Sequence, residues 1–469
     1  MRRYLHWGGL LVIILPFLAG CSGMSMQGPR YYRAVASGNM VQAGELATKI
    51  ADTSPKRNKV LWRLEAGNAW RCADQPVESL EQFEQAESLI SDFESGSDIS
   101  VTTEAGAALT SQSLLPYQGT SYDRIMMNTY KALCYLMTGN DDAARVELRR
   151  AYERQREAVE DHSKRIEKAQ QKAEENQTVD IDRTMSDESF QATLQSQYTN
   201  LEQFKPYGDY AVPYAEFLQG LFYTYCSLDS SDQERGAKSM SRALGMCPNN
   251  AYLKEDLRLS EEATGGKKAE DLTYIIFETG LAPVRRSVRI DLPIFLLGQK
   301  SGGIDYVGAA FPALKPVDDY ASHLVVQAGG ESVQTSLLCD MDSVVLAEFK
   351  SQMPAMIART VASTLIKAGA AYAVSESTKK NRLTNSIMRL GTTLYQAVMN
   401  QADERSWRTL PKEVQYCRIK TPADGRLMLQ VAGRQAVPVT LAETDGIQVV
   451  LVRSISASSP LITTQLSLH

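Results

Sequence analysis

The chain has 469 residues, 43% of them hydrophobic and 22% charged. That balance excludes a disordered polyelectrolyte and leaves room for two or three folded domains. The formal charge is −5, which excludes the basic surface that nucleic acid requires, and excludes adhesion to anionic lipid by charge.

In chain order, the first element is a secretory signal over residues 1–20. Arg2 and Arg3 precede an apolar stretch from Leu10 to Leu18, and Ala19 and Gly20 lead into Cys21. A charged start, a short hydrophobic core and a small-residue ending are its three parts. The core is shorter than the roughly 20 apolar residues of a membrane span. Leu18-Ala19-Gly20-Cys21 resembles the bacterial lipobox. The resemblance implies diacylglyceryl transfer to the Cys21 thiol, cleavage before it, and acylation, by a palmitate-type chain, of the new amino terminus. Several acyl chains anchor stably where one holds weakly. Ser22, rather than Asp, then implies the outer membrane, facing the periplasm. Residues 21–30 read as a tether. Removing Arg2 and Arg3 with the signal takes the formal charge to −7.

Residues 31–265 read as helix after helix, and their self-similarity resembles tetratricopeptide repeats. In such units small residues sit where two helices nearly touch. Ala132, Tyr135, Ala144, Leu148 and Ala151 match without a gap, with Gly139 ending one helix and Asp141 or Asp142 capping the next. Gly67, Trp70, Ser79, Phe83 and Ala86 give an earlier unit. Gly220, Tyr223, Gly236, Met240, Ala243 and Pro248 give a later one, after a short insertion in the turn. Within this region residues 149–204 predict a projecting antiparallel helical hairpin. Leu148, Tyr152, Gln155, Val159, His162, Ile166, Ala169 and Ala173 alternate spacings of four and three, a diluted coiled-coil seam. Phe190, Leu194, Tyr198 and Leu201 supply the return stripe.

Gly265-Gly266 breaks the helical pattern, and residues 270–469 turn β-rich. "TYIIFETG", "RRSVRIDLPIFLL", "HLVVQAGG", "EVQYCRIK", "GRLMLQVAG" and "GIQVVLVRSI" read as strands. A helical insertion interrupts them at 342–402, started by Asp342, with an apolar stripe of Met356, Ile357, Val361, Leu365, Ala368 and Tyr372. Arg359 and Lys367 within that stripe argue against a membrane span. The expected fold class is α+β: a tetratricopeptide-like α-solenoid with a projecting helical hairpin, then a β-sandwich-like domain carrying a helical insertion.

Reactive motifs are sparse. Seven cysteines, at 21, 72, 134, 226, 247, 339 and 417, show no CxxC or zinc-type spacing, so no metal and no cofactor are expected. The six beyond Cys21 read as buried free thiols, although an oxidising periplasm permits disulfides. A histidine-based triad would rest on His323, and no GxSxG elbow accompanies it. Ser377 and Lys380 fit S-x-x-K, without a K-T-G partner. Asp318, Asp319, Asp340 and Asp342 read as caps and solvated turns. Glu278, Arg285, Arg286 and Asp291, with Asp403, Glu404 and Arg405, read as salt bridges tying the insertion to the β-domain, or as a partner-binding edge.

"YDRIMMNTYKALCYLMTGNDDAARVELRRA", "VPYAEFLQGLFY", "IIFETGLAPVRRSVRIDLPIF", "YVGAAFPALKP" and "DERSWRTLPKEVQ" resemble, in that order, blocks of an uncharacterised conserved family of bacterial lipoproteins. The resemblance covers residues 30 to 455. It implies a lipobox, helical repeats and a C-terminal "FETGLAP" β-domain. It also implies a place in cell-envelope assembly, with regulation of peptidoglycan synthesis as its suggested process. The expected function is non-enzymatic: a membrane-anchored scaffold for protein–protein interaction, whose envelope partner the sequence does not identify. The alternatives are an envelope enzyme such as a peptidoglycan hydrolase, and an oligomeric secretion or pore component.

Overall fold

The computed structural model describes residues 28–95, 115–174, 181–199, 207, 211–267, 271–294, 305–378, 402–442 and 446–469, with the side chains of 159–174, 181–182, 294, 305 and 366–378 excepted. The signal, the lipobox Leu18-Ala19-Gly20, Cys21, the tether up to residue 27 and the insertion from 379 to 401 lie outside the described residues, as do the side chains of His162, Ser377 and Lys380.

The chain is a mixed α+β structure: a helical region, then a β-sheet region with a long helical insertion. Helix α1 covers residues 28–36. It is followed by α2 (Met40–Thr53), α3 (Lys56–Cys72), α4 (Pro76–Glu94), α5 (Ser121–Met137), α6 (Asp141–Glu174), α7 (Ile181–Met185), α8 (Glu188–Tyr198), α9 (Pro213–Tyr225), α10 (Ser230–Met246) and α11 (Ala251–Thr264). Their starts follow local chemistry. Asn39, Asp229 and Asn250 accept hydrogen bonds from first-turn amides. Thr120 and Asp123 form a reciprocal capping box. Pro76 and Pro213 open α4 and α9, where a missing N–H costs nothing.

Glycines let neighbouring helices approach. A Cβ on Gly67 of α3 would lie 2.5 Å from the Phe83 ring of α4, and one on Gly44 of α2 would lie 2.5 Å from Trp70 of α3. Gly220 of α9 and Gly236 of α10 meet at their helix crossing, where an added Cβ would come 3.1 Å from Met240 and 3.0 Å from the Thr224 amide.

The strands are β1 (Leu272–Thr279), β2 (Val284–Ile294), β3 (Asp305–Lys315), β4 (Leu324–Ala328), β5 (Glu331–Gln334), β6 (Ser336–Asp340), β7 (Glu413–Lys420), β8 (Arg426–Val431), β9 (Val437–Thr440), β10 (Ile447–Ser454) and β11 (Ile462–Leu468); α12 (Met341–Thr378) lies between β6 and β7. They form a five-stranded sheet in the order β11-β10-β1-β7-β6, a four-stranded sheet β5-β4-β8-β9, and a β2-β3 ribbon. β1 is central, parallel to β10 and antiparallel to β7.

Both faces of the central sheet are covered, so its strands are near-continuous apolar runs. Tyr274, Ile276, Tyr416 and Leu451 join the core formed by helices α3 to α6 and α9 to α11. Ile275, Phe277, Cys417 and Val450 pack against the second sheet through Leu324, Leu427 and Leu429. The expected boundary between residues 265 and 270 is therefore crossed by one apolar core. Phe217 of α9 stacks 4.4 Å from Tyr416, and Trp407 sits 5.9 Å from both Phe83 and Tyr130.

Phe190, Leu194 and Tyr198 of the expected return stripe are buried against the β2-β3 ribbon and α12; Leu201 and the side chains of 159–174, which would form the rest of the hairpin seam, lie outside the described residues. The Phe190 and Phe311 rings are 6.2 Å apart, and the Tyr198 hydroxyl donates to the Pro312 carbonyl at 2.8 Å. Met356, Ile357, Val361 and Leu365 of α12 fall in the same cluster, which explains their spacing without a bilayer. No described helix is long and apolar enough to cross a membrane.

Because the helical region covers one face of the central sheet, residues 271–469 expressed alone are expected to lack a cooperative thermal transition. Circular dichroism melting checks this, and a sharp, reversible transition would show that the β-region is self-sufficient.

Candidate functional site

The "FETGLAP" block ends β1 and enters a turn at Gly280, whose φ is +70° and whose added Cβ would lie 2.7 Å from the Cβ of Tyr320. One residue earlier but one, Glu278 points into the seam between sheet and helices. Arg71, in the last turn of α3, meets it there: Nη2 to Oε2 is 2.6 Å, and both side chains are only 3% exposed. Tyr214 of α9 donates to the other Glu278 oxygen at 3.3 Å. The Arg71 guanidinium lies 3.9 Å from the Tyr130 ring centre. Burial alone lowers the affinity of Arg71 for its proton, but the adjacent carboxylate overrides it and holds the guanidinium above its ordinary value.

Arg453 is the register partner of Glu278 on β10. It donates to the carbonyls of Glu278 (3.1 Å), Ser454 (2.8 Å), Gly280 (2.6 Å) and Thr409 (3.3 Å), while its Nε has no partner. Burial lowers its pKa, with Glu278 opposing. A cavity of about 10 Å³ adjoins these groups, lined among others by Arg71, Cys72, Glu278, Arg453 and Thr464.

A second buried carboxylate continues the seam. Glu65 of α3 accepts from the Tyr31 hydroxyl (2.9 Å), the Arg408 amide (3.0 Å) and the Thr409 hydroxyl. Asn68, three residues along, donates to the Thr409 carbonyl at 3.0 Å. Burial raises the Glu65 carboxyl, against the pull of those donors. Glu65, Asn68 and Arg71 thus form a polar line at three-residue spacing on a buried helix. That spacing is a signal the sequence carried; the partners across the seam, Glu278, Arg408 and Thr409, over 200 residues away, were not visible.

The charged blocks act at this seam rather than chiefly on the insertion. Arg405 pairs with Asp403 at 2.6 Å and donates to the carbonyls of Arg57 and Leu115, each at 2.9 Å. Glu404 accepts from the Ser287 amide at 2.8 Å. Arg285 lies 5.9 Å from the Phe349 ring centre of α12, and Arg289 pairs with Asp291 at 3.2 Å on the surface. Glu348 of α12 was missed. Its carboxylate accepts from the Ser121 and Tyr122 amides at 2.9 and 3.1 Å, capping α5 from across the chain.

A third cluster lies where β6 passes into α12. Lys412 bonds Asp342, which is 2% exposed, and reaches the well-exposed Asp318 at 3.3 Å. Asp340 accepts from the Asp342 amide (3.0 Å) and the Ser343 hydroxyl (2.6 Å), as a helix cap. Burial, opposed by Lys412 and aided by Asp340 and Asp318, raises the Asp342 carboxyl to about 6. Sequence spacing did not place Asp318 and Asp342 on one lysine. Asp319 instead accepts from the Ala457 amide at 3.1 Å. His323 is hydrogen-bonded to its neighbour Ser322 at 3.1 Å.

The repeat-packing residues lie inside the helical core: Ala86, Ala132, Ala144, Ala151 and Ala243 are at most 1% exposed, and Gly67, Gly220 and Gly236 stand at helix crossings. The six described cysteines are buried and free. Among the described residues no group of three or more His, Cys, Asp or Glu side chains is arranged to hold a metal ion. No family model, curated protein or solved structure matches the chain.

Removing one member of the central pair strands the other. Arg71→Met is expected to cost about 3–5 kcal/mol in urea unfolding, and the double change Arg71→Met with Glu278→Gln to cost clearly less than the sum of the two singles. Additive losses would mean that the pair is not coupled.

The pH dependence has a defined sign. Asp342 and Asp123, both raised to about 6 mainly by burial, are near 4 in the unfolded chain. Below about pH 4 both states hold these protons; between about 4 and 6 only the folded state holds them, and their contribution to stability declines across that window and is gone once the pH has risen past about 6 and the folded state releases them too. Glu65, Asp256 and Glu413 shift in the same direction. The lowered carboxyls Glu87, Asp187, Glu255 and Glu262 act below that window. The melting temperature is expected to rise on acidification from about pH 7.5 to about pH 5, and Asp342→Asn to flatten the slope. A melting temperature that falls over this interval would contradict the assignment.

Proposed function

We propose that the chain is a non-enzymatic, lipid-anchored periplasmic scaffold that binds protein partners in cell-envelope assembly. In this reading the helical region is a tetratricopeptide-like α-solenoid and the paired sheets a β-sandwich-like platform. The close helix crossings at Gly67, Gly220 and Gly236 support the repeat assignment. The observation that carries the reading is where the charged groups are used. Arg71, Glu278, Glu65, Arg405 and Asp403 are spent joining helices to sheets, as in a rigid support. Tying such a support to a bilayer through Cys21 would raise its effective concentration toward envelope partners. Regulation of peptidoglycan synthesis rests only on the lipoprotein resemblance.

One observation favours the enzymatic alternative: Asp342, with its raised carboxyl, shares Lys412 with the exposed Asp318, and glycan cleavage is carried out by paired carboxyl groups. Asp342→Asn separates the two readings. The scaffold retains its envelope phenotype with this variant, whereas a hydrolase loses it. The pore alternative draws no support from α12, whose described apolar stripe is covered.

Cys21→Ser is expected to move the mature chain from the membrane pellet to the soluble periplasmic fraction, and intact-mass measurement of the wild type to show the acyl chains. Membrane retention of the variant, or an unmodified Cys21, would overturn the anchored reading.

A further inference from the structure

The charges in the seam do not balance. Two guanidiniums, Arg71 and Arg453, face one carboxylate, Glu278, and that carboxylate is matched to Arg71 at 2.6 Å. Arg453 is 4% exposed, and its hydrogen bonds go to backbone carbonyls. The other titratable groups around it, Cys72 and Tyr130, are held neutral by burial, as is Tyr214 on the far side of Glu278. A guanidinium does not shed its proton in proteins, so one positive charge stays buried without a counter-ion.

We propose that the 10 Å³ cavity at Arg453 is a binding site for a single halide-sized anion, chloride under physiological conditions. Three observations carry this beyond the charge count. The Arg453 Nε is a buried donor without a partner, and its residue lines the cavity. Thr464 lines the same space and brings an O–H donor, while the Cys72 thiol beside it is turned to Asn68. The remaining walls are the apolar side chains of Leu451, Val452 and Ile462 and the matched pair Arg71 and Glu278. Because Glu278 is already neutralised by Arg71, the lining keeps one net positive charge. A water would leave that charge uncompensated, whereas a monatomic anion would neutralise it and accept from the Arg453 Nε–H. The cavity's volume suits one particle of about the size of a water and excludes sulfate or phosphate. The bound anion would complete the junction of α3, β1, β10 and β11, and the inference holds whether or not Cys21 is acylated.

The full mature chain serves for the test. Crystals soaked in sodium bromide are expected to show an anomalous peak beside Arg453. In solution, about 0.3 M sodium chloride is expected to raise the melting temperature by about 2 °C more than sodium gluconate of equal ionic strength. Arg453→Gln is expected to abolish that difference. Thr464→Val, which keeps every charge, is expected to reduce it and serves where Arg453→Gln does not fold. A water in place of bromide, or chloride and gluconate curves that coincide for the wild type, would overturn the proposal.

Discussion

Arg71 and Glu278 are 207 positions apart and meet with almost no solvent on either side. Taking two such charges out of water carries a desolvation penalty of several kcal/mol for each, so the pair is a weak source of net stability. Its strength is selectivity. A helix α3 rotated by one residue, or a β1 strand slipped by one, would leave both charges buried and alone. The polar line of Glu65, Asn68 and Arg71 on α3 therefore admits one seating of the helical region on the sheet, with Thr409, Arg408 and the carbonyls beside Arg453 reading it from the other side.

Once that seating is fixed, the layers follow. The helices cover one face of the five-stranded sheet and the four-stranded sheet covers the other. The excursions of the chain do not wander separately. α8, the β2-β3 ribbon and α12 come from three distant stretches and share one apolar cluster. α12 also returns to the helical region, since Glu348 supplies the acceptors that the first turn of α5 lacks. A helix start needs such acceptors from somewhere, and here a remote carboxylate, favoured by the helix dipole, provides them.

What could be read from the sequence was periodic or local. The β-rich runs "TYIIFETG" and "EVQYCRIK", the change from helix to strand near residue 265, and the helix begun at Asp342 all depend on neighbours a few positions away. The small residues at Gly67, Ala132 and Gly236 were legible for the same reason. Two things were not. The stripe of Phe190, Leu194 and Tyr198 announced a buried face, but an apolar stripe does not say what it is buried against, and the β2-β3 ribbon that meets this one lies more than 80 residues further on. The charged blocks announced ion pairs, yet Glu278 reaches Arg71 rather than its sequence neighbours Arg285 and Arg286. Pairings between distant charges depend on topology, and one sequence carries no topology.

The parallel pairing of β1 with β10 bears on how the chain is made. β10 occupies an interior position of the sheet, between β1 and β11. Thr273 pairs with Gln448, which a ribosome delivers 175 positions later, so the middle of the sheet has no neighbour on one side until synthesis is almost over. Pairing across so long a loop is slow. Until it occurs, β1 stands with an open edge and the five-stranded sheet cannot close.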